Sequence, residues 1–315
     1  MGKKIKKLLV FSAATFAGMY AYNKIVENTS TRKNLLKTDP GEFFEWNHGR
    51  IFYTKNGTGK PLLLIHDINT KSSGEEWSKI NKKLAKKHTV YTIDLIGCGR
   101  SDKPAIQYTN YLYVQLITTF IKEVIKEKTD VIASNIAAST VFMTNAMDKT
   151  LFDKIILINP VAIDKMEELP NTLLKFKQRC FQLPIVGTFL YNILNSPAKI
   201  DILFKTKYFA NPQMVTPKHI ETYYESAHLG KSNGRFLFAS IISNFVNFDI
   251  KHAIKKTDNT IYIIGSRDYK GNISTLEKYH RINNNFDITH ISHGNLYPHM
   301  ENPEKALSII ESKLV

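Results

Sequence analysis

Short apolar runs alternate with helix-like segments along most of this 315-residue chain. The runs are continuously apolar, which is typical of parallel strands that are buried on both faces. Regular alternation of such strands with helices predicts a mainly parallel sheet covered by helices on both faces. Reactive loops then lie at the carboxyl ends of the strands. The predicted strands are residues 61–66, 90–95, 131–133, 154–160, 261–268 and 286–292, preceded by a hairpin of residues 42–46 and 50–55.

Helical spacing of apolar residues marks several of the segments between these strands. Ser73 and Glu76, three residues apart, match the capping pattern that begins a helix. The chain is long enough for one large domain of this kind that carries an insertion. The predicted helices are residues 72–87, 111–125, 275–283 and 303–314.

The formal net charge of +15 raises the question of a nucleic-acid partner. Most of the positive residues are Lys, which offers a point charge and not the planar fork of Arg. We find no nucleic-acid-binding motif, and we therefore expect no nucleic-acid partner. Cys98 and Cys180 lie far apart and lack the spacing of metal ligands, so we expect neither a metal nor a cofactor.

Residues 1–27 combine a basic start with an uncharged run over residues 8–23. As a helix this run would span about 24 Å, against about 30 Å for a bilayer core, and flanking lysines can reach the interface. We predict an N-terminal transmembrane helix that enters the lipid bilayer through residues 8–25. It would be a single-pass anchor in the cell membrane, with residues 28–40 as a linker and the domain on the outer face. A cleaved signal peptide is the alternative.

Four motifs follow predicted strands in a recognisable order. The segment DLIGCGRSDKP at residues 94–104 is similar to the D-x-x-G-x-G-x-S-x-x-P segment that follows the fourth strand of α/β-hydrolases. LLLIHD at residues 62–67 resembles their oxyanion strand, IYIIGSRD at 261–268 their acid turn, and LYPHMENPEKA at 296–306 their histidine loop. The chain thus resembles the α/β-hydrolase superfamily, in particular its esterase and lipase-like members.

The resemblance implies a division of the chain into a core and a cap. Residues 41–160 and 256–315 would form the α/β-hydrolase core, and residues 161–255 a helical cap inserted after the sixth strand. The cap segment is rich in aromatic residues, which would roof a largely apolar pocket over the strand ends. A small apolar molecule is therefore a candidate ligand.

The resemblance also implies a nucleophile in the segment TDVIASNIAAST at residues 129–140. In this superfamily the nucleophile occupies a strained turn between a strand and a helix. One register of the segment places Ala137 there, and a second register places Asn135 there. The first register is preferred and the second stays open. Neither residue is a nucleophile.

The other catalytic positions of the superfamily fall on unexpected residues. Alignment of the histidine loop places Leu296 at the position of the catalytic base, and an alkyl side chain cannot accept a proton. His293 and His299 lie nearby and are possible substitutes. Asp268 matches the position of the acid.

The oxyanion loop departs from the superfamily as well. It comprises His66, Asp67 and Ile68, with the amide of Ala138 as the second donor in the preferred register. Asp67 replaces a glycine of the superfamily. A carboxylate beside a developing oxyanion would repel it unless the side chain points away.

Together with the predicted anchor, these replacements predict a membrane-anchored protein of the α/β-hydrolase fold. It would lack serine-hydrolase activity and bind an apolar ligand or a partner. The alternative is an active carboxylic-ester hydrolase that uses a displaced serine. Ser134 or Ser139 would be its nucleophile, with His293 or His299 as the base.

Overall fold

The computed structural model describes residues 3–37 and 40–314, with side chains described from residue 11 onward. Met1, Gly2, Thr38, Asp39 and Val315, which fall in the predicted anchor, linker and core, lie outside the described residues. The strands are β1 Glu42–Trp46, β2 Gly49–Asn56, β3 Lys60–Ile65, β4 His88–Ile93, β5 Thr129–Ser134, β6 Phe152–Ile158, β7 Ile261–Ser266 and β8 Asp287–Ile291.

Helices follow most of the strands. The α-helices are α1 Lys3–Thr29, α2 Asn81–Leu84, α3 Asn110–Phe120, α4 Ala137–Met147, α5 Ile163–Met166, α6 Thr172–Gln182, α7 Val186–Leu194, α8 Pro197–Leu203, α9 Pro217–His228, α10 Arg235–Ile242, α11 Lys251–Lys255, α12 Asn272–Ile282, α13 Pro298–Glu301 and α14 Pro303–Leu314. Short 3₁₀ segments cover Leu35–Lys37, Gly74–Trp77 and Pro212–Met214, and π-helical turns extend α3 over Ile121–Ile125 and α8 over Phe204–Tyr208.

The strands form one eight-stranded sheet in the order β1-β2-β4-β3-β5-β6-β7-β8. Strand β2 pairs antiparallel with β1 and β4, and all the other pairs are parallel. The predicted mainly parallel sheet is therefore present. Strand β5 is buried along its whole length because it lies between β3 and β6 with helices on both faces.

Two apolar clusters fill the space between the sheet and its helices. One cluster joins β5 and β6 to residues of α3, α4 and α12, including Phe120, Phe142 and Tyr279. The other joins the opposite face to α2 and α14 through residues that include Trp77, Ile132 and Ile310. The sheet thus has helices on both faces, and its strand ends remain at the edge of the core.

The segment after β3 differs from its predicted single helix. Residues 72–87 form the 3₁₀ turn Gly74–Trp77 and the short α2. Ser73 caps the turn by accepting a hydrogen bond from the Glu75 amide. Glu76 does not complete a capping box; its side chain is 1% exposed and turns into the protein, where it meets residues of two other loops.

The chain between β6 and β7 contains α5 to α11. Helices α6, α7 and α10 pack on one another, and α8 packs on α9. Their aromatic residues form a third cluster with Leu296, Tyr297 and Met300 of the loop after β8. This insertion therefore covers the strand ends on the side of the histidine loop.

The predicted transmembrane helix is wrong. Among the described residues no helix is both long and apolar enough to cross a membrane. The second half of α1 instead packs on α7, and the centroids of the Tyr22 and Phe189 rings are 5.4 Å apart. Asn23 Nδ2 donates a 3.0 Å hydrogen bond to the Ile185 carbonyl, and Asn23 Oδ1 accepts a 3.0 Å bond from Asn192 Nδ2. An uncharged run of this length falls short of the about 20 residues that a span requires. The predictions of an anchor through residues 8–25 and of a cell-membrane location, which depends on that anchor, are therefore wrong.

The segment after α1 also packs on the insertion, although a polar linker was predicted over residues 28–40. Leu36 is 1% exposed. Both oxygens of Glu225 accept backbone hydrogen bonds, at 2.9 Å from the Leu35 amide and 3.1 Å from the Leu36 amide. The described part of this segment is therefore held against α9.

Candidate active site

The turn between β5 and α4 presents Asn135 at its apex. Asn135 follows the last residue of β5 and has a positive φ of 45°, a conformation that Asn tolerates better than most residues. Ala137, the preferred nucleophile position, is instead the first residue of α4. The apex side chain is a carboxamide, whose nitrogen lone pair is delocalised, and it therefore cannot act as the nucleophile.

The carboxylate of Asp67 lies directly against this turn. Its Oδ1 accepts a 3.0 Å hydrogen bond from the Ile136 amide, and its Oδ2 accepts a 3.1 Å bond from Asn135 Nδ2. The Ile136 amide follows the apex residue, which is where the superfamily places an oxyanion donor. The Asp67 side chain thus occupies the amide that the superfamily would use as an oxyanion donor.

Tyr297 completes the contacts of Asp67. Its hydroxyl donates a 2.8 Å hydrogen bond to Asp67 Oδ2, and Asp67 is 2% exposed. Burial raises the pKa of the Asp67 carboxyl, and the nearby Glu76 raises it further, while the bonds from Asn135, Tyr297 and Ile136 oppose the rise. These contacts form a buried polar network around Asp67.

The remaining residues of the predicted oxyanion loop have structural roles. His66 joins two loops, since its Nδ1 lies 2.7 Å from the Asp67 carbonyl and its Nε2 accepts a 3.0 Å bond from the Leu95 amide. Ile68 is 1% exposed and belongs to the main apolar cluster. The Ala138 amide donates to the Asn135 carbonyl at 3.2 Å and is thereby already bound.

The position aligned with the catalytic base lies in the aromatic cluster of the insertion. Leu296 is 1% exposed and packs there. The next residue, Tyr297, is the one that reaches the apex, and sequence reasoning missed it. Burial raises the pKa of the Tyr297 hydroxyl, so it remains a hydrogen-bond donor and cannot serve as a base at neutral pH.

Asp268 supports the backbone of the histidine loop. Its Oδ2 accepts hydrogen bonds of 2.8 Å from the His293 amide and 3.3 Å from the Gly294 amide. His293 has a positive φ of 59° and an exposed side chain. The predicted acid thus contacts the backbone of the loop, and His293 stands at the surface.

Ser134, Glu76 and His299 form a buried chain behind the apex. The Ser134 hydroxyl donates to Glu76 Oε1, and His299 Nε2 lies 3.1 Å from the same oxygen. The other oxygen, Oε2, accepts from the Asp67 amide at 3.2 Å. The Trp77 ring stacks on the His299 ring with centroids 4.4 Å apart. The Glu76 carboxylate therefore lies between Ser134 and His299. None of these three residues is more than 1% exposed.

Ser139 is also committed to local bonds. Its hydroxyl donates to the Ile136 carbonyl at 2.7 Å and accepts from Asn110 Nδ2 at 2.8 Å. It lies in the first turn of α4 and is fully buried. Its hydroxyl therefore stabilises the start of the helix.

The insertion closes over the apex. The Tyr208 and Tyr297 rings are 4.7 Å apart, and Tyr208 accepts a 3.2 Å bond from Asn69 Nδ2. Asn135 is only 8% exposed. A polar cavity of about 680 Å³ opens beside this region, lined by residues that include Asp268 and His293. The aromatic residues thus pack on the site as part of a core.

Glu301 ties the histidine loop to the insertion. Its side chain accepts hydrogen bonds from the amides of Ala210 at 2.8 Å, Asn211 at 2.7 Å and Asn295 at 3.1 Å. In the part of the chain that the structure describes, no group of three or more His, Cys, Asp or Glu could hold a metal ion.

Comparisons with known proteins agree with this architecture. Residues 60–185 match a family model described as the alpha/beta hydrolase fold. An uncharacterized protein of Mycobacterium bovis is 28% identical over 123 residues, 39% of this chain and 36% of that protein. A 2-hydroxy-6-oxo-6-(2'-aminophenyl)hexa-2,4-dienoic acid hydrolase of Metapseudomonas resinovorans is 24% identical over 113 residues, 35% of this chain and 39% of that enzyme. Each alignment thus spans well under half of the relative.

Solved structures share the fold over a larger part of the chain. A bromoperoxidase from Bacillus anthracis superposes with a TM-score of 0.70 and 16% identity, over 87% of this chain and 99% of that one. The epoxide hydrolase CorEH gives 0.69 and 16%, over 87% and 98%. The sheet order, the matched family model and these structural neighbours agree with one another, and they show that the chain has the α/β-hydrolase fold.

Proposed function

We propose that this chain is a non-hydrolytic member of the superfamily and that it acts by binding a small apolar molecule. The observation that carries the non-hydrolytic part of the proposal is the Asp67 carboxylate on the Ile136 amide. Acyl transfer builds negative charge on an oxygen at this place, and a hydrolase stabilises that charge with free amide donors. A resident carboxylate takes the donor and repels the charge.

Two neighbouring features support the same proposal. Asn135 at the apex provides no nucleophile, and Tyr297 provides a donor where a base is needed. The hydrogen bonds of Asp67 also join the apex to the histidine loop, so the region is suited to a structural role. A ligand would then bind elsewhere on the protein.

A hydrolytic alternative rests on the buried chain of Ser134, Glu76 and His299. The three groups lie within hydrogen-bonding distance in series, and two of the relatives have the names of hydrolases. In this alternative Glu76 would take the Ser134 proton directly, and the protein would cleave carboxylic esters after the insertion opens. The burial of Ser134 weighs against it.

Covalent labelling of the full chain with a fluorophosphonate probe, read by intact mass, tests the proposal. Activated serines react with this probe, and we expect no adduct on the folded protein and no hydrolysis of 4-nitrophenyl butyrate. Ser134→Ala and Ser139→Ala variants are the matched controls. An adduct that disappears in one of them would identify a working nucleophile and replace the proposal by the esterase alternative.

A further inference from the structure

Helix α6 of the insertion presents large apolar side chains to solvent. Leu173 and Phe176, three residues apart on the helix, are 70% and 66% exposed. Leu169 and Leu183, beside the two ends of the helix, are each at least half exposed. A single exposed apolar residue is ordinary, whereas a group of them marks a contact surface. We call these four residues the α6 stripe.

The opposite face of α6 holds the helix on the rest of the insertion. The Phe181 ring packs on the Phe238 ring of α10 with centroids 5.2 Å apart, and Gln178 is buried. Asn171 caps the helix by accepting a 2.9 Å hydrogen bond from the Leu174 amide. Since α6 is fixed by its other face and by its cap, the exposed stripe contributes little to the fold.

Basic side chains flank the stripe on both sides. At about 100° per residue, Lys177 lies about 40° from Leu173 on one side. Arg179 and Lys175 lie about 60° and 100° from Phe176 on the other side. All three basic residues are exposed, and none of them forms an ion pair with a described residue. Their charges are therefore available to a partner.

The chain around α6 is poor in acidic residues. The sequence has no Asp or Glu from residue 169 to residue 200, and α10, which packs on α6, contains none either. The acids before α6 have other partners, since Glu167 pairs with Lys251 and Glu168 accepts a 3.4 Å bond from Asn244. A second copy of the chain would bring the same positive charges to the stripe and be repelled. The surface therefore suits an anionic partner.

A lipid bilayer with anionic head groups meets both requirements. Phe and Leu flanked by Lys and Arg are typical of helices that lie in the bilayer interface, where the apolar face reaches the acyl boundary and the basic residues meet the head groups. Projecting side chains enter lipid without the matching groove that a protein partner would have to supply. We propose that the α6 stripe docks the protein peripherally on an anionic lipid bilayer, with α6 lying in the plane of its surface. The inference is independent of the chemistry at Asn135.

Flotation of the full chain with lipid vesicles tests the inference. We expect binding to phosphatidylcholine vesicles that contain about one third phosphatidylserine to be at least about tenfold tighter than binding to phosphatidylcholine alone, because basic residues near an anionic surface strengthen binding. Added salt should weaken this binding by screening the charges. No binding to the anionic vesicles, or equal binding to both kinds, would overturn the inference.

A double variant locates the apolar part of the contact. Leu173→Ser combined with Phe176→Ser should weaken binding to the anionic vesicles at least about tenfold, because two apolar side chains no longer leave water. Circular dichroism should show an unchanged fold. Ile273→Ser, at an exposed position on α12, is the control and should bind as the wild type does.

A pair of triple variants locates the charged part. Replacement of the three flanking basic residues by Gln should weaken binding at least about tenfold. The matched control removes the same charge from exposed lysines at α2, namely Lys82, Lys86 and Lys87, and should change binding by less than about twofold, because distant charges are screened. Equal losses in the two proteins would show that net charge and not α6 directs the binding, and would overturn the inference.

Other contacts and the proposed function are distinguished by separate outcomes. Binding that persists in the Leu173→Ser and Phe176→Ser protein would place the contact elsewhere, for example at the exposed Phe11 and Phe16 of α1, and would overturn the inference. A dimer in sedimentation velocity that this variant abolishes would assign the stripe to a second copy instead. Fluorophosphonate labelling would overturn the non-hydrolytic assignment and leave the vesicle result intact.

Discussion

The Asp67 carboxylate receives hydrogen bonds from Ile136, Asn135 and Tyr297 within a buried region. Without the Asp67 carboxylate, each of these three donors would need another acceptor. An unsatisfied buried donor costs about 1–3 kcal/mol. At the scale of single residues, Asp67 is therefore the group that makes this arrangement of loops stable.

Replacement of Asp67 should accordingly reduce stability. We expect Asp67→Ala to lower the free energy of unfolding by at least about 3 kcal/mol, because three donors lose their acceptor. Asp67→Asn should cost less, since it keeps an acceptor oxygen and removes a buried charge. Denaturant unfolding measures both. Asp164→Ala, which breaks an exposed ion pair with Lys278, is the control and should change stability by less than about 1 kcal/mol. Equal losses in all three variants would contradict the role assigned to Asp67.

Restoration of the nucleophile alone should not restore activity. Asn135→Ser would still face the Asp67 carboxylate and would have the hydroxyl of Tyr297 in place of a base, so we expect no fluorophosphonate adduct. The combination of Asn135→Ser, Asp67→Gly and Tyr297→His should label at least about a hundredfold faster, because the oxyanion donor and a base are then available. Circular dichroism checks that both variants are folded. Rapid labelling of Asn135→Ser alone would show that Asp67 does not block the site.

At the scale of elements, the second half of α1 depends on side-chain bonds as well as on apolar contact. Asn23 contributes two 3.0 Å hydrogen bonds to the surface of α7. Only Tyr22 and Asn23, at the end of the uncharged run, make these contacts, whereas the earlier Phe11 and Phe16 are exposed.

Asn23→Ala should loosen this contact. We expect faster amide hydrogen exchange over residues 22–37, corresponding to about 1–2 kcal/mol of lost local stability. Asn28→Ala changes an exposed residue of the same helix and should leave exchange unaltered. If the two variants exchange alike, the Asn23 bonds do not hold α1 in place.

At the scale of the whole molecule, two buried lysines link stability to pH. Burial lowers the pKa of Lys71 and of Lys103 to about 8, although Lys71 Nζ donates to Asn195 at 3.0 Å and Lys103 Nζ to the Gly99 carbonyl at 2.6 Å. In an unfolded chain a lysine pKa is about 10.4. At pH values between these two pKa values the unfolded chain therefore binds more protons than the folded protein does. The free energy of unfolding accordingly rises with pH in this range.

The wild type should accordingly gain stability relative to Lys71→Met as pH rises. We expect the difference in unfolding free energy to change in favour of the wild type by about 2 kcal/mol between about pH 7 and about pH 10. Lys103→Met should behave similarly, whereas Lys175→Met, at an exposed position, should show no such trend. A difference that does not vary with pH would mean that Lys71 keeps an ordinary pKa in the folded protein.

Sequence reasoning located the loops of the site better than the residues that act in it. The motifs correctly placed Asp67, Asp268 and Leu296 in the loops after β3, β7 and β8. The sequence pattern predicts Glu76 at a helix cap and indicates no role for Tyr297. A polar aromatic residue next to the aligned base position was the available signal for Tyr297, but its contact with Asp67 depends on the path of a loop.

The sequence by itself determined the succession of strands and helices and the order of the motifs, because apolar periodicity and turn residues act between near neighbours. Only the tertiary structure decided that Asn135 stands at the apex, that Asp67 accepts from the Ile136 amide and that α1 packs on α7. Asp67, Asn135 and Tyr297 come from three separate loops, and Asn23 meets Ile185 across 162 positions of the chain. Contacts of this kind are set by how the packed sheet brings loop ends together, which no local pattern contains.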